Sequence, residues 1–200
     1  HNRCRRQRQM CIRDSFPADN GYGSTDKFLL DMPELKNLKT LVMNHCNHFI
    51  HEVLDVKKDC KFDMTNSWST KHLKGDESGA HNHANSMLSG VLYLQTDDDS
   101  GAILFHKDKS NFNLFTPTID VPFNNEKLNV FNVDGWAIKP KNNMLILFPS
   151  TLYHSVYPNE SDIERYVVAF NLFAFGKFGY DNVVQSVSYT HLRAHETHEN

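Results

Sequence analysis

The chain has 200 residues, of which 40% are hydrophobic and 22% charged, and its formal net charge is −3. That make-up suits one globular domain with room for a core. It holds no run of about eighteen apolar residues, so no membrane-spanning helix is expected, and its start has no apolar segment of the signal-peptide kind.

The two ends differ from the middle. Met10-Cys11-Ile12-Arg13-Asp14-Ser15 resembles a translated transposon end used in sequencing-library preparation, and 187–200 resembles the same adapter read outward. Residues 1–15 and 187–200 are therefore read as sequencing-adapter artefacts, and 16–186 as a single domain. The body then carries 15 Lys+Arg against 21 Asp+Glu, a net of −6. The arginine-rich start thus gives no reason to expect a nucleic-acid partner. Cys46 and Cys60 remain; two cysteines without a secretory signal predict reduced thiols and a cytoplasmic setting. Arg165 is the one arginine left in the body, which elsewhere uses lysine. A position that needs a planar, permanently charged donor fork would explain that choice, as would a Lys- and Asn-rich genome.

In chain order, Phe16 to Asp26 is turn-rich. Met32-Pro33-Glu34-Leu35 opens a helix, with Pro in the first turn and Glu at the positive end of the dipole. Leu35, Leu38, Leu41, Val42, Cys46, Phe49, Ile50 and Val53 continue it at helical spacing to about Leu54. His45, His48 and His51 fall on its polar side. From Phe62 the period changes. Strands are predicted over 62–70, 86–95 and 102–105, with a polar loop over 71–80 and a turn at Asp97-Asp98-Asp99-Ser100-Gly101. That turn lacks the spaced ligands and closing Glu of a calcium loop. Residues 106–127 read as a long insertion, the kind of loop that covers a site. Asp134-Gly135 is a hairpin signal between 128–133 and 136–139. Further strands are expected at 144–148 and 166–175. One helix followed by many short strands predicts a mainly β antiparallel sandwich or barrel.

The chemistry collects around Gly79-Ala80-His81-Asn82-His83. On an extended strand, residues i and i+2 share a face, so His81 and His83 can aim two imidazoles at one point. His154 lies far downstream in Phe148-Pro149-Ser150-Thr151-Leu152-Tyr153-His154, and Arg165 follows eleven positions later. Three ligands on one face with open positions beside them suit iron(II) of the oxygenase type. The serine contexts lack the G-x-S-x-G elbow of hydrolases.

These motifs resemble those of the 2-oxoglutarate- and iron(II)-dependent oxygenases, in a prolyl-hydroxylase-like branch abundant in marine phage and bacterial sequences. The likeness runs from about Leu29 to Phe173. It rests on Asn66-Ser67-Trp68-Ser69-Thr70, on His81-x-His83-x-Asn85-Ser86-x-x-Ser89-Gly90-Val91-x-Tyr93-Leu94, on Phe148-Pro149-Ser150, on His154-Ser155-Val156-x-Pro158-Asn159, and on Arg165 leading to Ala169-Phe170-Asn171. It implies a double-stranded β-helix (a cupin-like jelly roll) with an N-terminal helix packed on one sheet. His81 and His154 match the family's iron-binding histidines. Arg165 matches the residue that pairs with the far carboxylate of 2-oxoglutarate, a geometry a guanidinium suits. Tyr93 stands where related enzymes put a hydroxyl near that carboxylate.

Position 83 departs from the family pattern His-x-Asp/Glu. Iron held by three histidines, a carboxylate borrowed from Asp76 or Asp108, and a water-completed sphere with His83 behind it are the readings. One-face geometry favours three histidines. Val167 departs too, since related enzymes often carry a hydroxyl residue there. Trp68, His72, Asn85 and His106 are candidates for contacts with substrate or with the ligands, His72 and His106 being read as loop and strand-end histidines.

The resemblance implies a dioxygenase using iron(II), 2-oxoglutarate and O2, hydroxylating a small-molecule or peptide substrate and releasing succinate and CO2. It would work in the cytoplasm of a bacterium or a phage-infected cell, with no nucleic-acid or membrane partner. The rivals are a non-catalytic jelly-roll binding or virion structural module, and a metal-dependent cupin-like enzyme that does not use 2-oxoglutarate.

Overall fold

The computed structural model describes residues 15–18, 21–107, 133, 135–178 and 186–188. The fold is mainly β, a double-stranded β-helix of two antiparallel sheets with one helix against the larger sheet. In the described residues the large sheet has seven strands. Its order is β1 (Ser15–Ala18), β2 (Gly21–Ser24), β3 (Lys61–His72), β10 (Arg165–Phe178), β5 (Leu88–Gln95) and β8 (Leu145–Pro149), with β11 (Ser186–Ser188) on β10. The small sheet runs β4 (Ser78–His81), β9 (His154–Val156), β6 (Ile103–His106) and β7 (Gly135–Ile138).

Helix α1 (Lys36–His48) follows two single turns of 3-10 helix, the second starting at Pro33, and ends in a wider π turn over Phe49–Val53. Val42, Cys46 and Ile50 recur every four residues and are buried, as a helix with one apolar stripe requires. They pack with Leu29, Leu30, Met64, Leu88, Leu92, Val168, Phe170 and Leu172 on one face of the large sheet. The helix histidines His45 and His48 are exposed, and Cys46 and Cys60 are free thiols. None of the described helices is long and apolar enough to cross a membrane.

Strand alternation sends the other residues to the opposite face. Trp68, Thr70 and His72 of β3, Arg165, Val167 and Ala169 of β10, and Val91 and Tyr93 of β5 line a cavity of about 480 Å³ between the sheets. Gly90 also lines the cavity with its backbone, but its missing side chain would point to the helix side. A Cβ added there would come within 2.7 and 2.8 Å of ring carbons of Phe170, so the ring occupies the space a side chain would need.

Several expectations shift. The loop predicted over 71–80 is partly strand, because β3 runs on to His72 and β4 forms at Ser78. Strand β7 pairs with β6. The predicted strand 128–133, apart from Val133, and the Asp134 half of its hairpin lie outside the described residues, as does the 106–127 insertion beyond Lys107. The proposed adapter segments lie outside them too, except Ser15 and 187–188.

Candidate active site

His81 ends β4 and is the direct cross-strand partner of His154, the first residue of β9. His83 arrives differently from the strand alternation expected of it. The strand stops at His81, and the chain turns through 82–87 with Asn85 in the left-handed region at φ 57°. This turn is pinned at its ends: the His83 N–H donates to the Ser150 carbonyl at 2.9 Å, and the Met87 N–H to the Leu172 carbonyl at 2.9 Å. One ring nitrogen from each of His81, His83 and His154 lies within 4.8 Å of the others, a group that can hold a metal ion.

The hydrogen bonds fix which nitrogens these are. A carbonyl oxygen only accepts, so a ring nitrogen facing one carries the hydrogen. His81 Nδ1 faces the Gly79 carbonyl at 2.8 Å, His154 Nδ1 the Leu152 carbonyl at 3.0 Å, and His83 Nδ1 the side-chain oxygen of Asn171 at 2.7 Å. Each imidazole is thereby an Nδ1–H tautomer whose Nε2 lone pair is free, the arrangement in which metal-binding histidines are oriented.

Behind His83 stands a buried polar chain that sequence reading did not find. Ser89 Oγ lies 2.8 Å from His83 Nδ1 and donates to Asn171 Oδ1 at 2.7 Å. It also meets Ser150 Oγ at 2.8 Å; Ser150 donates to Ser86 Oγ at 2.9 Å, and Ser86 to the Leu172 carbonyl at 3.1 Å. Asn171, Ser150 and the Ser86–Ser89 pair come from three separate segments of the sequence, joined by the pairing of β10 with β5 and of β5 with β8.

Aromatic side chains close the rest of the pocket. Trp68 meets the His83 ring edge-on at 5.8 Å, and Phe148 packs on His154 at 4.8 Å and on Phe105 at 5.0 Å. Burial, opposed by the Leu152 carbonyl, holds the His154 pKa down to about 4, with His81 and His83 adding to the effect. Burial also lowers that of His83. Both rings are neutral near pH 7, the form a metal binds.

Arg165 is 1% exposed. Its Nη1 donates to the Ser100 carbonyl, with the Gly101 and Tyr157 carbonyls at 3.4 Å, while Nη2 is buried without a partner among the described residues. Gly101 permits this approach: it sits at φ 77°, and an added Cβ would lie 2.5 Å from the Pro158 carbonyl oxygen. Tyr93 is buried on the same wall, and desolvation pushes its hydroxyl up to about 12, so it stays a neutral O–H.

Other candidates fall elsewhere. His72 is no loop histidine but the buried last residue of β3 and part of the cavity wall. Asn85 is exposed in the turn, and His106 bonds Ser155 Oγ at 2.9 Å; neither lines the cavity. Of the carboxylates weighed as ligands, Asp76 accepts from the Leu73 N–H at 2.8 Å and is not in the histidine group, and Asp108 lies outside the described residues. The cavity's own carboxylate, Glu77, is exposed and also outside that group.

Residues 66–171, just over half of the chain, match a family model described as "Putative 2OG-Fe(II) oxygenase". The chain belongs to this 2-oxoglutarate/iron(II) oxygenase family. It is thus an oxidoreductase of the 2-oxoglutarate-dependent type, with iron(II) and 2-oxoglutarate as its cofactors. No curated protein sequence matches it. Solved structures share the fold. An oxidoreductase of the 2OG-Fe(II) oxygenase family from Burkholderia pseudomallei aligns with a TM-score of 0.57 at 15% identity, covering 84% of this chain and 76% of that one. A Pseudomonas putida prolyl-4-hydroxylase gives 0.52 at 16% identity, covering 85% and 82%. HygX from Streptomyces hygroscopicus, crystallised with nickel and 2-oxoglutarate, gives 0.53 at 11%, covering 85% and 76%. The donors fit the family's cofactors: imidazole nitrogen suits iron(II), and an unpartnered buried guanidinium nitrogen suits a carboxylate.

The pKa directions predict an acid-sensitive fold. Burial holds His72 down to about 4, helped by the charge of Arg165, and His154 is held at about 4 as well. The unfolded chain takes up these protons near 6.5, the folded one only near 4, so acid favours unfolding in that window. Stability is expected to be fully present above about pH 6.5 and to fall steadily toward pH 4. Urea midpoints of metal-free protein at pH 7 and pH 5 check this, and equal midpoints would contradict it.

Proposed function

We propose that the protein is an iron(II)- and 2-oxoglutarate-dependent dioxygenase that hydroxylates a small-molecule or peptide substrate, with iron held by His81, His83 and His154. One observation carries the reading. Three imidazoles converge through free Nε2 atoms, each with Nδ1–H tied to an oxygen acceptor, in a cavity that also holds an unpartnered guanidinium nitrogen. Iron(II) with 2-oxoglutarate and O2 supplies oxidative decarboxylation to succinate and CO2, coupled to insertion of one oxygen atom into a substrate C–H bond.

The chain's own residues do the holding and shielding. The histidines offer three neutral donors, so the protein adds no charge to that of the metal. Arg165 supplies, through Nη2, a fixed positive donor for the far carboxylate of 2-oxoglutarate, and Tyr93 a neutral hydroxyl beside it. Val91, Ile103, Phe148 and Val156 give the pocket apolar walls that limit water. No side chain is required as an acid or base.

Anaerobic titration with iron(II) and then 2-oxoglutarate tests the reading, the expected result being a visible charge-transfer absorbance that grows with 2-oxoglutarate. Iron uptake with no response to 2-oxoglutarate would instead indicate a cupin-like metal enzyme. No metal uptake at all would leave a binding module.

The polar chain behind His83 gives a finer prediction. Asn171→Ala removes the acceptor that orients the ring, and divalent-metal affinity should drop about 10–100-fold. Asn171→Asp keeps an acceptor and should recover most of it. Competition against a metal-sensitive dye measures both, and equal affinities for the Ala variant and the parent would refute the positioning role.

A further inference from the structure

Two residues paired across the cavity wall each leave a buried nitrogen unpaired among the described residues. His72 and Arg165 are direct Cα partners across the β3–β10 ladder. They are 4% and 1% exposed, and both line the cavity. Each has one buried nitrogen with no hydrogen-bond partner among the described residues, Nδ1 of His72 and Nη2 of Arg165. Buried polar groups are almost always paired, because leaving one unpaired forfeits its hydration for nothing. Two such atoms on neighbouring strands in one cavity wall mark a place for a ligand that brings two acceptors.

The chemistry of His72 narrows the ligand. Its Nε2 lies 3.0 Å from Ser78 Oγ. When that hydroxyl donates to Nε2, the ring hydrogen sits on Nδ1, so the free nitrogen is a donor. Burial and then the neighbouring guanidinium, opposed by Asp76 and the Glu77 backbone, keep the ring uncharged. In that tautomer the pair presents one charged and one neutral N–H donor, which matches the two oxygens of a single carboxylate. Val167, next along β10 on the same face, has no hydroxyl to share the work.

We propose that His72 is a second anchor for the far carboxylate of 2-oxoglutarate, completing with Arg165 a two-donor clamp. The inference rests on the functional reading above, and its test separates the two. Full-length protein loaded anaerobically with iron(II) is titrated calorimetrically with 2-oxoglutarate and with 2-oxobutyrate, which keeps the 2-oxo acid head and lacks the far carboxylate. His72→Ala should weaken 2-oxoglutarate about ten- to fiftyfold, the scale of a lost hydrogen bond to a charged group. It should leave 2-oxobutyrate within about twofold. His72→Gln, which keeps a donor, should recover part of the loss, and it carries the comparison if the Ala variant melts at a lower temperature without metal. Equal weakening of both acids would mean a purely structural role and overturn the proposal. So would unchanged 2-oxoglutarate binding in both His72 variants while Arg165→Ala still weakens it, and in that case the functional reading survives. Failure of the parent protein to bind 2-oxoglutarate would overturn both.

Discussion

Replacing His154 by alanine is expected to abolish metal uptake and, with it, 2-oxoglutarate turnover, lowering the latter by well over 100-fold. The magnitude follows from what would remain. Losing a residue that only orients a metal ligand costs about 10–100-fold, and losing a ligand itself must cost more. His154 is the most enclosed of the three histidines: it is buried, while His83 is half-buried and His81 exposed. It is packed by Phe148 at 4.8 Å and Phe105 at 6.1 Å, so water cannot readily stand in with the same geometry. Succinate release per minute, read beside a dye-competition metal titration, decides the matter. A variant that keeps full metal affinity would remove His154 from the site. The variant should still fold, since the ring it removes is a desolvated polar group with one hydrogen bond, to Leu152.

The second large effect concerns the fold. Gly90→Ala should destabilise the protein by about 2–4 kcal/mol, at or above the usual cost of overpacking, because the added methyl runs into the Cζ end of the Phe170 ring. Phe170 is 0% exposed, so the ring can yield only by disturbing its core neighbours. Phe170→Ala alone should cost about 3–5 kcal/mol for the cavity it leaves. The pair is expected to be non-additive, the double variant being clearly more stable than the two losses summed, because the alanine methyl then occupies space that the ring vacated. Urea unfolding of the three variants measures the coupling, and simple additivity would show that ring and glycine do not contact.

What the sequence reveals, and what it hides, follows from the range of each interaction. The helix could be read because its apolar residues repeat locally, and Val42, Cys46 and Ile50 are indeed its buried stripe. The long strands β3, β5 and β10 carry alternation and β-branched or aromatic residues, so they were visible within a few residues of their true ends. Strand β4 was not: Ser78, Gly79, Ala80 and His81 are largely exposed and have no apolar alternation. Strand β9 is three residues long, too short to show a period.

The site divides in the same way. His81, His154 and Arg165 stand in motifs specific enough to be singled out, and the structure puts all three on one cavity. His83 was expected beside His81 for a reason that does not hold, since a turn and not a strand brings it in. The partners that orient it, Asn171 and Ser89, could be quoted as parts of motifs, yet their meeting depends on strand register between distant segments. The burial of His72 was hidden for a related reason, because its polar neighbours Lys71, Lys74 and Gly75 read as loop.

The placement of the three histidines has a mechanical consequence. His81 and His154 belong to the small sheet, whereas the ring of His83 is fastened to Asn171 and Ser89 of the large one. An ion shared by all three would clasp the two layers of the sandwich together at one end. Occupancy and rigidity then become a single quantity: at a hundredfold excess over its dissociation constant, a metal bound only by the folded form adds about 2.7 kcal/mol of stability. Melting temperature would therefore serve as a gauge of metal loading, legible before any substrate is known.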